Sequence, residues 1–187
     1  MSLLESSVVF KPFKYPWAID FAVKSEKAHW GEWECKLQDD VAQWQSGKLS
    51  DQEKNHITQI LRLFTQSDVA VGTNYLEYYI QKLKNNEIRA MLTSFANREF
   101  VHQRSYALLN DTLGLPEEEY SAFLEYKQMK DKIDFMTDID VHSISGLGKS
   151  IARSVMNEGM SLFSAFAMLL NYQRFGKMKG MCEIVEW

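Results

Sequence analysis

The chain has 187 residues, 45% hydrophobic and 25% charged, enough for one domain with a sizeable core. Its formal net charge is −4 and its 21 Lys and Arg are scattered, so it offers no basic surface for nucleic acid. Only Cys35 and Cys182 are present, far apart and outside any CxxC pairing, which argues against a disulfide framework and a thiolate metal site and fits a reducing, cytoplasmic setting.

No run approaches the ~18 apolar residues of a membrane span, and the opening MSLLESSVVFKPFKYPW lacks the basic-then-apolar order of a secretory signal. The expectation is a soluble intracellular protein with no membrane partner. Three prolines and nine glycines leave long stretches free of breakers, which predicts an all-α class. Residues 1 to about 17 read as an extended arm closed by Tyr15-Pro16-Trp17, because a residue before proline is pushed out of the helical region. A helix is expected next, through Glu26 to His29. The stretch HWGEWECKLQDDVAQW shows no clean period, but Trp30, Trp33 and Trp44 are not all expected at the surface.

Ser50 and Glu53 stand at capping-box spacing and open a helix from Asp51 to about Lys84. Its apolar stripe is Ile57, Ile60, Leu61 and Phe64, and Asp68 falls on the same stripe. Asp68 lies eleven residues beyond Ile57, which at ~100° per residue returns it to within ~20° of that side chain. After the KNNE turn the pattern repeats with Ile88, Met91, Leu92 and Phe95, and Glu99 is again eleven residues past the first of them. His102 and Tyr106 continue that stripe.

Gly114 and Pro116 end this helix, and the acids after the proline start another, roughly Glu117 to Lys132. A loop around Ser143 to Gly148 leads to the last strong helix, about Lys149 to Phe175, where Val155, Leu162, Ala165 and Leu169 share one face with Glu158. The stretch SGLGKS ends like a phosphate-binding loop, but the earlier glycine of that motif would fall at Ser143 and no strand precedes it, so it reads as a helix entry. The tail MKGMCEIVEW reads as the start of one more helix.

An isolated ionised carboxylate in a dry core must be paired, protonated or bound to a cation. A single acid on an apolar stripe is usually matched by arginine, and Arg98, Arg104 and Arg153 are candidates, which would make this a metal-free dimerisation or partner-binding module. Three acids in similar registers point elsewhere. Glu99 and His102 form an E-x-x-H, whose i, i+3 spacing brings both side chains to one face. The motif alone is common, but with Asp68 and Glu158 on neighbouring helices the set becomes hard oxygen ligands plus imidazole, suited to iron or manganese. A carboxylate-bridged metal pair in a four-helix bundle follows as the hypothesis. Tyr106, seven residues past Glu99, lies two turns along the same side. Beside an oxygen-activating metal pair a buried tyrosine can lose one electron; without those neighbours it would be plain core packing.

Taken together, EFVHQRSY resembles the ligand helix of the small, radical-generating subunit of class I ribonucleotide reductase, and the likeness runs from about residue 14 to 187. It implies a ferritin-like helical bundle, with Glu99 as bridging ligand and with Asp68 and His102 on the metal nearer the tyrosine. It further implies Tyr106 as the radical site and Glu158, in NEGMSLFSAFA, as a ligand of the second metal, with Phe163 and Phe166 packed around the site. Trp30 matches the family's tryptophan on the electron route, with Glu34, Asp40 and Trp44 at family-like offsets; Trp33 is the competing choice. The partners implied are the large subunit and a second copy of the chain.

The resemblance also implies a second E-x-x-H a few residues beyond a segment like GMCEIVEW, and none follows it in this sequence. The expectation is therefore a single ferritin-like domain, residues 1–187, with its last bundle helices missing and a partial metal site. Uncovered apolar faces would then favour self-association. A related ferritin-like oxidase using the metal pair directly is the alternative within the fold, and Tyr106 argues against it.

Overall fold

The spacing of Ser50 and Glu53 does what it predicts. The Ser50 hydroxyl accepts from the Glu53 N–H at 3.3 Å, and the Glu53 carboxylate accepts from the Ser50 N–H at 2.8 Å. This box opens α3, Asp51–Thr73, which runs through a π-helical turn at Asn74–Tyr79 into the short α4, Ile80–Lys82. Before it come α1, Pro16–Lys27, with proline at its first turn, and α2, Gln38–Gln45. Asn85 caps α5, Asn86–Thr112, by accepting from the Ile88 N–H at 3.1 Å. Then follow α6, Lys127–Thr137; α7, Ile144–Met156; a second π-helical turn at Asn157–Ser161; α8, Leu162–Leu170; and α9, Lys179–Glu186. The structure, a computed structural model, describes residues 2–187, and among them there is no β-strand.

Helices α3 and α5 lie side by side, α1 packs on α5, and α8 and α9 close the end nearest Phe64. Between them sits the main core, built from Ile57, Leu61 and Phe64 of α3, Val101 and Leu109 of α5, and Leu169 of α8. A second cluster joins Ala18 of α1 to Tyr79, Ile80, Ile88 and Leu92. The arm before α1 is extended, as its prolines predict, and is pinned at two places. Glu87 accepts from the N–H groups of Lys14 and Tyr15 at 2.7 and 3.2 Å, and the Leu3 carbonyl accepts from Lys84 and Asn85 at 2.9 and 3.2 Å.

At the other end a buried carboxylate fixes α9. Asp40 accepts from the N–H groups of Gly180 and Met181 at 3.1 and 2.7 Å, satisfying first-turn donors that would otherwise be orphaned. Gly180 is required there, since a Cβ would strike the Lys36 carbonyl.

Three sequence expectations need correction. The stretch Glu117 to Lys132 is not one helix: it makes two 3₁₀ turns, Glu117–Tyr120 and Ala122–Glu125, before α6 begins at Lys127. Tertiary contacts hold those turns, with Glu119 paired to Arg62 and the Tyr120 hydroxyl donating to the Ala107 carbonyl at 3.3 Å. The loop expected at Ser143 to Gly148 is already helical, because Ser143 caps it by accepting from the Gly146 N–H at 2.9 Å. Finally, Val155 is 65% exposed while Leu162, Ala165 and Leu169 are buried. The π turn between them adds a residue, so side chains before and after it no longer share a stripe.

Candidate metal centre

Asp68 projects from the buried face of α3, and Glu99 and His102 from the facing side of α5. Each offers one ligand atom, and the three atoms lie within 4.8 Å of one another. Two donors bound to one divalent ion at about 2.1 Å stand at most ~4.2 Å apart, so a small contraction would close the group on an ion. His102 Nδ1 is 3.8 Å from a Glu99 oxygen.

The surroundings withhold the usual compensation for buried acids. Among the described residues neither Arg nor Lys pairs with Asp68, Glu99 or Glu158. The arginines that could have done so are engaged elsewhere: Arg104 with Glu32 at 2.9 Å, Arg153 with Asp138 at 2.7 Å, and Arg98 with the Trp187 carbonyl at 3.2 Å. One Asp68 oxygen is buried with no hydrogen-bond partner. Burial, reinforced by the charges on Glu99 and Glu158, holds the Asp68 carboxyl well above its usual range. An orphaned acceptor in a set of hard oxygens and one imidazole fits a divalent metal.

Glu158 sits in the second π turn, outside the group of three but within their field. Burial first and the charge on Glu99 second push its carboxyl up to about 7, against the partial relief of the Asn157 amide at 3.1 Å. The two π turns face each other across a pocket of about 20 Å³ lined by Asn74, Tyr75, Tyr79, Asn157 and Glu158, room for one water molecule. On its other side Glu158 borders an apolar groove of about 610 Å³ with Tyr75, Phe95 and Val155. π turns of this kind recur where helices build functional sites.

Tyr106 is buried one layer below the group. Its ring packs on Phe64 at 5.5 Å, and burial, with the charges on Asp68 and Glu99 adding to it, raises its phenol well above the ordinary value. Phe64 also meets Phe166 at 5.1 Å, whereas Phe163, expected to pack around the site, is 68% exposed and points away. Phe163 follows the buried Leu162 directly, about 100° round α8, and so leaves the face that Leu162, Ala165 and Leu169 share. Of the two competing tryptophans, Trp30 is buried with its ring 6.1 Å from that of His102, while Trp33 is 71% exposed and folds over Gly31.

Sequence reasoning missed Tyr75, which lies in the first π turn and whose phenol is raised by burial and by the charges on Glu99 and Glu158. The signal was present: Tyr75 follows Asp68 by seven residues, the same step that separates Tyr106 from Glu99. The E-x-x-H spacing, by contrast, is not selective. It recurs at Glu26 and His29, both exposed, and at Glu53 and His56, where Glu53 binds Lys177 and His56 Nδ1 meets the Tyr172 hydroxyl at 2.9 Å. Only the third partner, Asp68, sets Glu99 and His102 apart.

Comparison with known proteins agrees with this geometry. Residues 7–187 match the family described as ribonucleotide reductase, small chain. A probable ribonucleoside-diphosphate reductase small subunit of Invertebrate iridescent virus 3 is 40% identical over 205 residues, covering 100% of this chain and 54% of the viral protein. Among solved structures, the dimanganese(II)-NrdF of Streptococcus sanguinis superposes with a TM-score of 0.84 at 18% identity, covering 97% of this chain and 64% of that one. The Rnr4 homodimer of Saccharomyces cerevisiae gives 0.83 at 20% identity, covering 98% and 60%. The chain thus spans about half the length of the curated relatives it matches, and no helix among its described residues is long and apolar enough to cross a membrane. On the extent of that match, the chain belongs to the ribonucleotide reductase small-chain family.

Proposed function

We propose that this chain carries the tyrosine-bearing half of a dinuclear metal site that serves ribonucleotide reduction. The observation that supports this reading best is the group of Asp68, Glu99 and His102, in which a buried carboxylate oxygen has no partner in the protein. Asp68, Glu99 and His102 would hold one ion, iron or manganese, and Glu99 and Glu158 would reach toward a second. Such a pair, when bound, supplies oxygen-dependent one-electron oxidation.

The chain's own residues then have definite tasks. Glu99 and Asp68, both buried, would neutralise the cation, and Glu158 acts at a pH where its proton is labile. Tyr106 is the electron donor, with its phenol kept protonated until oxidation by burial and by the acids above it. Phe64 and Val101 keep solvent from the oxidised ring. The residues 1–187 act as one helical domain, with the arm to about residue 17 pinned on α5. By the same resemblance its partners are a large subunit that reduces ribonucleotides and a second copy of the chain.

The test is metal-dependent stability. An ion that binds only the folded chain stabilises it by ~2.7 kcal/mol at a hundred times its Kd. Ferrous or manganous ion should therefore raise the melting temperature, and Asp68→Ala and His102→Ala should each remove the rise. Equal rises in the wild type and both variants would disprove the site. Admission of oxygen to the ferrous protein, followed by electron spin resonance, tests Tyr106 through its loss of signal in Tyr106→Phe.

A further inference from the structure

Asn74, the first residue of the first π turn, is 4% exposed, and only half of its amide is satisfied. Its Nδ2 group donates to the Met136 carbonyl at 2.9 Å, one of the acceptors that the last turn of α6 leaves without a helical partner. That carbonyl fixes which way the amide faces, because the opposite orientation would set oxygen against oxygen. Oδ1 is the end left over, buried and with no hydrogen-bond partner among the described residues. Asn74 lines the pocket of about 20 Å³ between the two π turns, and Glu158 of the second turn lines it as well. Asn157 donates to one Glu158 oxygen at 3.1 Å, so the other oxygen remains to accept.

From this arrangement we infer that the pocket binds a single water molecule, which donates to Asn74 Oδ1 and to Glu158 and so makes Asn74 a positioning residue for that carboxylate. The use made of Glu158 rests on the metal centre proposed above; the water site does not. The volume admits one water and nothing larger, and the lining offers one acceptor for each of its two protons. Tyr79 and Ser154, also on the lining, are bonded to each other at 2.7 Å. A neutral ligand suits the pocket better than a cation. Arg153 lines it too, and Lys132, half-buried on α6, lies within the field of Glu158, so a small cation would meet positive charge there.

The bridge gives the two π turns a common purpose. A buried amide oxygen with no donor is a standing cost, and a bridging water removes it while tying one turn to the other. Glu158 is then held through both oxygens, by the Asn157 amide on one and by the water on the other. So held, it is kept from turning into the apolar groove that it also borders. Asn74 reaches in the other direction to the end of α6, so a single amide links α3, α6 and the second π turn.

The experiment uses the metal-free chain throughout, with a high-resolution crystal structure and a count of long-lived waters in solution by water magnetic relaxation dispersion. The crystal structure should show a water within about 3.2 Å of both Asn74 Oδ1 and a Glu158 oxygen. Val71 is buried and lines the pocket, so Val71→Ile adds one methyl to it. That variant should hold one long-lived water fewer than the wild type and melt a few degrees lower, because the methyl leaves Asn74 Oδ1 bare. Asn74→Leu and Glu158→Leu should each lose the same water, and Glu158→Gln, which still offers an oxygen, should keep it. A pocket without water in the crystal structure would overturn the site, as would an unchanged water count with a higher melting temperature in Val71→Ile. A water retained in Glu158→Leu would overturn the bridge. None of these results touches the metal centre, which falls instead if manganous ion fails to raise the melting temperature of the wild type.

Discussion

Glu158 offers a direct reading of how the centre strains the metal-free protein. Its carboxyl is pushed from 4.5 up to about 7 by burial and by the charge on Glu99. Below pH 4.5 the group is protonated in both folded and unfolded chains and costs nothing. Between 4.5 and 7 the folded chain holds the proton more tightly, so stability falls as pH rises, by up to ~1.4 kcal/mol per pH unit. Above 7 the loss levels off, having reached on the order of 3 kcal/mol. In a chain of this size each kcal/mol moves the melting temperature by roughly 2–4 °C. Urea melts in a chelator at several values between pH 5 and 8 should show this fall. Glu158→Gln, neutral throughout, should match the wild type near pH 5 and exceed it progressively toward pH 8. A residual slope from Asp68 should remain in the variant. Parallel curves for the two proteins, or a wild type that gains stability across this range, would refute the argument.

The other acid gives a complementary result. Asp68→Asn should raise the melting temperature of the metal-free chain, because it removes a buried carboxyl whose ionisation folding suppresses, while abolishing the rise caused by manganous ion; thermal melts with and without metal check both. Asp40→Ala should cost about 1–3 kcal/mol by orphaning the Gly180 and Met181 donors, with amide exchange accelerating in α9 before the rest of the chain. Ser50→Ala should cost about 1 kcal/mol in denaturant melts through loss of the α3 cap. Val155, Met160 and Phe163 form an exposed apolar stretch across the second π turn, and sedimentation should show self-association that Phe163→Ser weakens.

Much of this architecture is legible in the chain itself, and the limits have physical causes. The stripes on α3 and α5 are regular from their caps onward, so the eleven-residue steps from Ile57 to Asp68 and from Ile88 to Glu99 place both acids on one seam. The arm, the Ser50 box and the burial of Tyr106 follow from local rules that tertiary contacts reinforce. Periodicity fails from Glu117 to Glu125, where Arg62 and Ala107, distant in sequence, hold two tight turns in place of a helix. It fails again after Val155, because no local signal in NEGMS announces a wider turn. Tyr75 was hidden by the same kind of irregularity, lying just where α3 leaves its regular course. The choice between Trp30 and Trp33 depended on which ring α5 covers, information carried by contact rather than by spacing.

The two wide turns have a consequence for how such a chain tolerates change in length. A π-helical turn is an α-helix carrying one surplus residue, so deleting a residue such as Gly159 should convert Asn157–Ser161 to ordinary helix without breaking the chain's path. The helix beyond would keep its phase, because about five residues of a π turn and about four of an α-helix each complete one turn. Leu169 would stay in the core and Ser154 would keep its 2.7 Å hydrogen bond to Tyr79, while the bulge that carries Glu158 toward Tyr75 and Asn74 would be lost. The surplus residue thus sets where the glutamate stands without disturbing the packing on either side of it.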